Sequence, residues 1–455
     1  MTIIKIGRSA ACVALGAAAL LLPASASLAD GAPQAASGIK FIPPDYVFNS
    51  NIPSDIVTVN TGANGTQTFV DNLGWNTFIA VNWPAPATID QRGVPDRQNV
   101  IGGLKFGTEG QPKVSQTGPV VWETYKNSED IFLNPPNKPT SFDTPQTVPA
   151  LCKAAAEKNP LAALHVLHAT TQAFTSKPLI DLNGQKVWYE VRLNRAYYDY
   201  VVNNGFYNSK NQNGKKINFP SASNTNLTAP VVKIKAAWKI MGPGDVQSRF
   251  YVVPALINDP ATKTCTEQTV GLVGLHVVQK TQQFQQWAWA TFEHVDNAPD
   301  TTGPVAGVHY NFNNPSCPAA QCPPNTYPMP SGKGSPTQLV REVPINSTAA
   351  PVNAAFQAAL KGLRSDNVWQ YYMLVDSQWG PLDPPKIGTP VQPNYLSNTT
   401  METYLQSPTD DPIRPHGCIN CHGTGQAADK DLDFQLLHAS PQNQQAEAIK
   451  SLFMH

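Results

Sequence analysis

The chain has 455 residues, and its 32 Lys and Arg balance 32 Asp and Glu, so the net charge at neutral pH is zero. Charged residues make up 14% of the chain, against about 25% in typical domains, and this balance argues against nucleic-acid binding, which needs a basic face. Pro accounts for 42 residues, about twice the usual share, so long helices are expected to be scarce.

The N-terminus has the pattern of a secretory signal peptide. Lys5 and Arg8 form a positive region, and residues 10–22 are apolar and uncharged. Small residues follow, which predicts cleavage after Ala29 and export to the periplasm. The apolar run is too short to span a bilayer, and no other uninterrupted apolar stretch reaches about 18 residues. We therefore expect a signal peptide over residues 1–29 and a mature protein without a membrane span.

Residues 30–395 are predicted to form a β-rich body. The apolar stretch at 74–83 suits a buried strand or a short helix, and its periodicity does not decide between them. A helical patch is expected over 150–174, interrupted by a proline, where His165 and His168 share a face and are expected to pack rather than bind metal. Strands are predicted where β-branched and aromatic residues lie between Gly, Pro or Asn breaks, at 186–192, 231–240, 249–258, 270–280 and 286–295.

The ends of the body have a different character. Residues 30–66 are expected to form an irregular, extended arm. An Ala-rich helix with Pro at its start is predicted over 351–363, and one more strand over 368–377. Five prolines mark residues 380–393 as a linker, and a terminal helix is expected to start near Ser440.

Four cysteines lie in the body, namely Cys152, Cys265, Cys317 and Cys322. An even number in an oxidising compartment predicts disulfides, and four cysteines allow three pairings. Cys317 and Cys322 flank a turn that contains Pro, which favours that short bridge, and Cys152–Cys265 follows by elimination. The alternative is four unpaired, buried thiols.

Residues 291–297 form a dense polar cluster. On a strand, Glu293 shares a face with Trp289, while His294 points to the opposite face. His276, on the preceding predicted strand, can face this group across a hairpin. Such a set of side chains can bind a second metal or act as an acid–base pair. The spacing matches no recognised metal motif, so we favour the alternative that the cluster satisfies groups at a strand end.

The segment Cys418-Ile419-Asn420-Cys421-His422 has the C-x-x-C-H pattern of c-type haem attachment. Two thiols one helical turn apart can add to the two vinyl groups of a porphyrin, and the His that follows can offer an imidazole nitrogen to the iron. The alternatives are a redox C-x-x-C pair, a zinc half-site and a plain disulfide. The surroundings supply neither a βαβ context nor a second ligand pair, and export agrees with haem attachment. We therefore predict one covalent haem c, bound by Cys418, Cys421 and His422.

The position of this motif constrains the fold. Only 33 residues follow His422, whereas an ordinary small cytochrome c carries its motif near the start. Residues 396–455 are therefore expected to form a haem c-binding segment that packs on the body and borrows walls from it. The predicted fold is mixed, β-rich α+β, with a large antiparallel β body, short helices and a C-terminal helical haem c-binding segment.

The second axial ligand has several candidates. Met401 is favoured because it lies 17 residues before Cys418, on a short segment that leads into the motif. His438 in the tail and His294 or His276 in the strands are alternatives, and so is an open distal site.

The chain resembles exported bacterial proteins described as cytochrome c family proteins, which carry one C-terminal haem motif. The resemblance is carried by residues 78–84, 121–126, 289–299 and 398–403 and by Cys418, Cys421 and His422. It implies haem c but no particular reaction. An electron carrier with a periplasmic redox partner protein is the favoured function. A haem oxidoreductase with an open distal site and a binding or sensing protein with a structural haem are the alternatives, so enzymatic activity is left open.

Overall fold

The computed structural model describes residues 48–56, 63–86, 91–102, 104–105, 113–114, 118–172, 175, 177–221, 229–327, 336–380, 391–406, 417–423 and 425–440. The predicted signal peptide, most of the predicted linker and the predicted terminal helix lie outside these ranges. The described residues belong to one compact unit, Ile39–His455.

A large β-sheet organises the chain. The strands of the described residues are β1 Asn99–Val100, β2 Leu104–Lys105, β3 Lys113–Val114, β4 Lys126–Asn127, β5 Val166–Leu167, β6 Trp188–Leu193, β7 Val232–Ile240, β8 Val252–Asp259, β9 Thr264–Gln279, β10 Ala288–His294 and β11 Tyr372–Gln378. Strands β1 to β3 form a small sheet, and the other eight form one sheet in the order β11-β10-β9-β7-β6-β4, with β8 pairing β9 and β5. All pairs in the large sheet are antiparallel except β5 with β8. The predicted mixed α+β fold with a large antiparallel body is thus confirmed.

The five strands predicted in the middle of the chain are confirmed as β6 to β10, with shifted ends. Strand β9 begins six residues before the predicted start at residue 270, because its first half pairs with β8. The last predicted strand begins late, at Tyr372, because Val368–Tyr371 form a 3-10 turn. Asn367 starts that turn by accepting a hydrogen bond from the backbone N–H of Trp369, which competes with strand pairing.

The helices of the described residues are α1 Ala63–Val81, α2 Lys153–Lys158, α3 Arg195–Asn203, α4 Ala349–Leu363, α5 Cys418–His422 and α6 Gly425–Ala428. The stretch at 74–83 lies mostly in α1. Because α1 is buried, it has apolar residues on every side, which is why its periodicity did not distinguish a helix from a strand. Three polar residues of α1, Asn72, Asn76 and Thr77, donate to the carbonyl four residues earlier and so remain satisfied.

The helix predicted over 150–174 is wrong beyond residue 158. Pro160 follows α2 closely and cannot continue a helix, since it has no backbone N–H. The chain instead forms a 3-10 turn and then enters β5. His165 and His168 therefore do not share a helix face. His165 is buried, whereas His168 forms a half-exposed ion pair with Glu129.

One face of the large sheet, the helix face, is defined by Ala290 and Phe292 of β10 and packs against α1 and α4. The ring of Phe292 lies 5.1 Å from that of Trp75 and 4.3 Å from that of Phe78, measured between centroids. Helix α1 approaches closely at Gly74, where a Cβ atom would lie 2.9 Å from the Cβ of Ala290. This aromatic core fixes α1 on the sheet and leaves the opposite face for the C-terminal residues.

The structure pairs the four body cysteines in the two disulfides that the sequence favours. Cys152–Cys265 joins the turn before α2 to the start of β9, across 113 residues of chain. Cys317–Cys322 closes a short loop with a sequence separation of 5. The long-range bridge therefore ties two distant parts of the body together.

Removal of the long-range bridge is expected to cost more stability than removal of the short one. A cross-link across a long loop restricts the unfolded chain more, so C152A/C265A should lower the free energy of unfolding by about 4 kcal/mol and the matched C317A/C322A by about 2 kcal/mol. Denaturant unfolding of both variants under identical conditions measures the two losses. Equal losses, or a larger loss for the short loop, would contradict the conclusion that the long-range bridge stabilises the protein more.

Candidate functional site

The face opposite to the helix face, here the motif face, carries Trp289, Thr291 and Glu293 of β10. Side chains alternate along a strand, so the residues paired with these three lie on the same face. Three cross-strand rows result: a tryptophan row of Trp289, Val278 and Lys233; a histidine row of Thr291, His276 and Lys235; and a glutamate row of Glu293, Gly274 and Ala237. Adjacent rows are about 7 Å apart along the strands.

The glutamate row holds residues 398–406 against the sheet. Glu293 is fully buried, and Arg341 neutralises it with Nη2 at 2.6 Å from Oε2 and Nη1 at 3.2 Å from Oε1. The backbone N–H and the hydroxyl of Thr399 donate to the same carboxylate, each at 2.6 Å. A carboxylate out of water needs such neutralisation, so the position of this segment is tightly specified.

The histidine row brings Glu402 over the sheet. His276 contacts Thr291 Oγ1 through Nδ1 at 2.9 Å and Glu402 Oε1 through Nε2 at 3.1 Å. The side chain of Asn398 donates to Thr291 Oγ1 at 2.8 Å. His276 therefore contacts Glu402. It does not contact Glu293 or His294, the two residues that the sequence suggested as its partners.

His294 satisfies groups at the strand end, as the favoured interpretation of the sequence expects. Its ring stacks on Phe250 with centroids 4.0 Å apart, its Nε2 lies 3.0 Å from the carbonyl of Arg249, and its Nδ1 accepts from the N–H of Asp296. Burial lowers the pKa of His294 to about 4, so the ring is neutral at neutral pH. Within the described ranges, no three His, Cys, Asp or Glu side chains are grouped as metal ligands.

Helix α5, which contains the C-x-x-C-H motif, begins beside the tryptophan row. Gln378 of β11 pairs with Trp289 in the sheet register. Its Oε1 accepts from the N–H of Ile419 at 2.7 Å, and its Nε2 lies 3.3 Å from Asn420 Oδ1. These bonds fix the first turn of α5 on the motif face.

The imidazole of His422 packs against two aromatic rings. The centroids of Trp289 and Phe434 each lie 4.4 Å from its own. Its Nδ1 lies 2.8 Å from the carbonyl oxygen of Leu432 and donates to it, which leaves the lone pair on Nε2. Burial, with the positive charge of Lys233 next in importance, holds the pKa of His422 well below its usual range. A neutral imidazole oriented through Nδ1–H is the form that coordinates a metal through Nε2.

The turn that presents the Leu432 carbonyl has an uncommon backbone. Asp431 and Leu432 have φ angles of 55° and 61°, a region that non-glycine residues rarely adopt. Lys280, buried just after β9, donates to both carboxylate oxygens of Asp431 at 2.8 and 3.0 Å. Lys233 lies 3.4 Å from Asp433 in a second buried ion pair. The two ion pairs hold this turn, and with it the acceptor for His422, on the motif face.

Cys418 and Cys421 are thiols one turn apart on α5, while the four body cysteines are in disulfides. Burial, assisted by the charge of Glu402, raises the pKa of Cys418 well above its usual range and that of Cys421 to about 11. Redox-active C-x-x-C thiols have lowered pKa values, so these surroundings differ from those of a thiol–disulfide oxidoreductase. Two thiols on one helical turn and the Nε2 of His422 fit the attachment of haem c.

Met401 lies beside the glutamate row, which is two rows away from the tryptophan row. It is fully buried in a hydrophobic cluster, and a Cβ atom on Gly274 would lie 3.3 Å from its methyl carbon. The glutamate row, which contains Gly274, is about 13 Å along β10 from Trp289, the residue that contacts His422. His276, in the histidine row, is about 7 Å from the tryptophan row on the same scale.

Sequence reasoning did not find the residues that orient His422. A carbonyl such as that of Leu432 is available at every position, so no pattern marks it. Lys233 and Lys280 did carry a signal, because each lies in a segment predicted as a strand of the body, where a buried lysine needs a partner. His438, one of the alternative ligands, is exposed on the 3-10 turn Phe434–Ala439.

The chain matches no known protein family, no curated protein and no solved structure. Among the helices of the described ranges, none combines the length and apolar character that a bilayer crossing requires.

The ion pair between Lys280 and Asp431 is expected to be a major anchor of the C-terminal segment. K280M should lower the free energy of unfolding by about 3–5 kcal/mol, because it leaves the Asp431 carboxylate buried without its lysine partner, although the N–H of Phe219 still donates to it. The double variant K280M/D431N should recover most of this loss. Denaturant unfolding gives the free energies, and hydrogen exchange over residues 425–440 shows whether the loss is local. A stable K280M, or a double variant no better than the single one, would contradict this role.

Proposed function

We propose that this chain is an exported c-type cytochrome that binds one covalent haem and transfers electrons to a periplasmic partner protein. The observation that carries the proposal is the presentation of His422, whose Nδ1–H is held by the Leu432 carbonyl so that Nε2 is available as a ligand. Cys418 and Cys421 precede it on the same helical turn, as haem c attachment requires.

When bound, haem c would supply an iron that alternates between two oxidation states. The residues around His422 prepare its ligand role. Trp289 and Phe434 pack against the imidazole. The Leu432 carbonyl fixes the ring orientation and tautomer, and the ion pair of Lys280 with Asp431 keeps that carbonyl in place.

Two residues could supply a second ligand to the iron. Sequence proximity favours Met401, but Met401 is buried beside the glutamate row and must leave a packed cluster to reach a group bound at α5. His276 requires a smaller change. Its Nε2 donates to Glu402, so Nε2 can bind a metal only after that proton is lost, with Nδ1 then donating to Thr291 Oγ1. The geometry therefore favours His276 over Met401.

Covalent attachment is tested with full-length protein exported in a host that has haem-attachment machinery. The wild type should retain haem on a denaturing gel, because thioether bonds survive unfolding, and C418S/C421S should not. The control C317A/C322A also loses two cysteines and should retain the haem. Wild-type protein without covalently bound haem would overturn the proposal.

The identity of the second ligand is tested with M401L and H276Q, the former of which nearly preserves volume in the core. If His276 is the ligand, H276Q should convert the low-spin spectrum of the wild type to a high-spin one, while M401L leaves it unchanged. Loss of a thioether-to-iron charge-transfer band in M401L would instead identify Met401, as the sequence predicts. A high-spin wild type that binds cyanide rapidly would rule out both ligands and favour the haem enzyme.

A further inference from the structure

Two carboxyl groups, here the carboxyl pair, lie together where helix α1 meets the edge strand β11. They belong to Asp71 of α1 and Asp376 of β11, and both side chains are buried. The two groups are hydrogen-bonded to each other. Within the described ranges, neither forms an ion pair with a Lys, Arg or His side chain. Two ionised carboxylates in contact and out of water would repel each other strongly, so the pair must carry at least one proton.

The neighbours of the carboxyl pair are uncharged. Its hydrogen bonds come from Gln67, Asn346, Thr348 and the backbone of Ser377. Lys361 is exposed in the last turn of α4, whereas Thr348 lies at the opposite end of that helix. The other charged or titratable side chains of β9, β10, β11 and the 3-10 turn before β4 contact different groups: Glu267 contacts Asn159, His276 contacts Glu402, Glu293 contacts Arg341, His294 contacts Phe250, Tyr372 contacts the carbonyl of Leu272, and Glu123 contacts His165.

The hydrogen bonds identify Asp376 as the ionised member of the pair. The N–H of Ser377 donates to Asp376 Oδ1 at 2.7 Å, and Asn346 Nδ2 donates to Oδ2. Gln67 Nε2 donates to Oδ1 at 2.8 Å. The amide of Gln67 is oriented by Trp379, whose Nε1–H donates to Gln67 Oε1 at 2.8 Å, so that Nε2 faces the pair. Three donors directed at one carboxyl group favour its ionised form.

Asp71 accepts only from donors that it shares with other acceptors. Gln67 Nε2 lies 3.1 Å from Asp71 Oδ1, but it also contacts Asp376 and the carbonyl of Ser377, the latter at 2.7 Å. The hydroxyl of Thr348 lies 2.9 Å from Asp71 Oδ2 and 3.2 Å from Asn346 Oδ1. An amide nitrogen has two protons and a hydroxyl has one, so neither contact is exclusive to Asp71. Asp71 is therefore the member that keeps the proton and donates it to Asp376.

The surroundings make the folded protein hold protons at this point more tightly than the unfolded chain. Burial, followed by the charge of Asp376, raises the pKa of Asp71 well above its usual range. Burial also raises the pKa of Asp376 to about 6, although its hydrogen bonds oppose the rise. A group whose pKa is raised by folding stabilises the fold at low pH, and this contribution is lost as the pH rises through the folded value. The loss should begin above about pH 4, the ordinary value for Asp.

We propose that the carboxyl pair holds one shared proton on Asp71 and is a pH-sensitive device that fastens α1 to β11 and to the segment before α4. When the pH rises and this proton passes to solvent, two buried negative charges face each other, and the first half of α1 separates from the sheet. The device uses no residue of the C-x-x-C-H motif, so the inference stands or fails independently of haem binding.

The test compares the full-length wild type with D71N and the matched D376N by denaturant unfolding between about pH 6 and 8. D71N replaces the shared O–H donor by an amide N–H that does not titrate. We therefore expect the unfolding equilibrium constant of the wild type, divided by that of D71N, to rise about tenfold per pH unit while Asp71 keeps its proton. D376N removes the acceptor but leaves Asp71 buried, so it should be less stable than the wild type and show the same rise relative to D71N.

Two further measurements keep the proposal testable if D376N does not fold. Infrared spectra of the wild type at neutral pH should contain the carbonyl band of a buried, protonated carboxyl group, and D71N should lack this band. Hydrogen exchange at residues 67–74, corrected for its intrinsic pH dependence, should accelerate with pH in the wild type and stay constant in D71N.

Three results would overturn the proposal. A wild type whose stability relative to D71N does not change with pH would show that no proton is shared. Absence of the carbonyl band from the wild type would show the same. A pH dependence that disappears in D376N but persists in D71N would place the proton on Asp376.

Discussion

The alternation of side chains along β10 is the constraint on which both sides of the molecule depend. Ala290 and Phe292 point to one face and pack against α1, while Trp289, Thr291 and Glu293 point to the other and receive the C-terminal residues. A slip of one residue in this register would exchange the two sets, placing Glu293 in the aromatic core. The pairing of β10 with β9 and β11 on either side makes such a slip costly, so one register serves both the core and the candidate site.

Buried charges give the C-terminal residues their positions. Glu293 with Arg341 holds residues 398–406, and Lys280 with Asp431 holds the turn that orients His422. Such pairs contribute little net stability compared with apolar packing, but a misplaced partner leaves a charge unpaired, and this penalty specifies one arrangement. Buried His165 follows the same rule on the other face, where two carboxylates hold its proton. Electrostatic neutrality inside the protein thus shapes both faces of the sheet.

Local sequence signals predicted much of the fold and part of the site. The strands from β6 to β10 were recognisable because β-branched and aromatic residues lie between clear breaks, and the C-x-x-C-H motif is local by nature. The sequence did not distinguish helix α1 from a strand, because a helix that is buried on all sides lacks an amphipathic period. The ligand assigned to Met401 rested on nearness along the chain, whereas the sheet register places His276 closer to the tryptophan row. Contacts such as His422 with Leu432 depend on tertiary placement, which no sequence period encodes.

Peptide-resolved mass spectrometry of the mature protein, purified from a periplasm with haem-attachment machinery, tests the central claim most directly. The account predicts that one peptide containing Cys418 and Cys421 carries a single haem through both sulfurs, while Cys152–Cys265 and Cys317–Cys322 appear as disulfide-linked peptides. Unmodified thiols at Cys418 and Cys421, or a disulfide between them, in protein from such a host would contradict it.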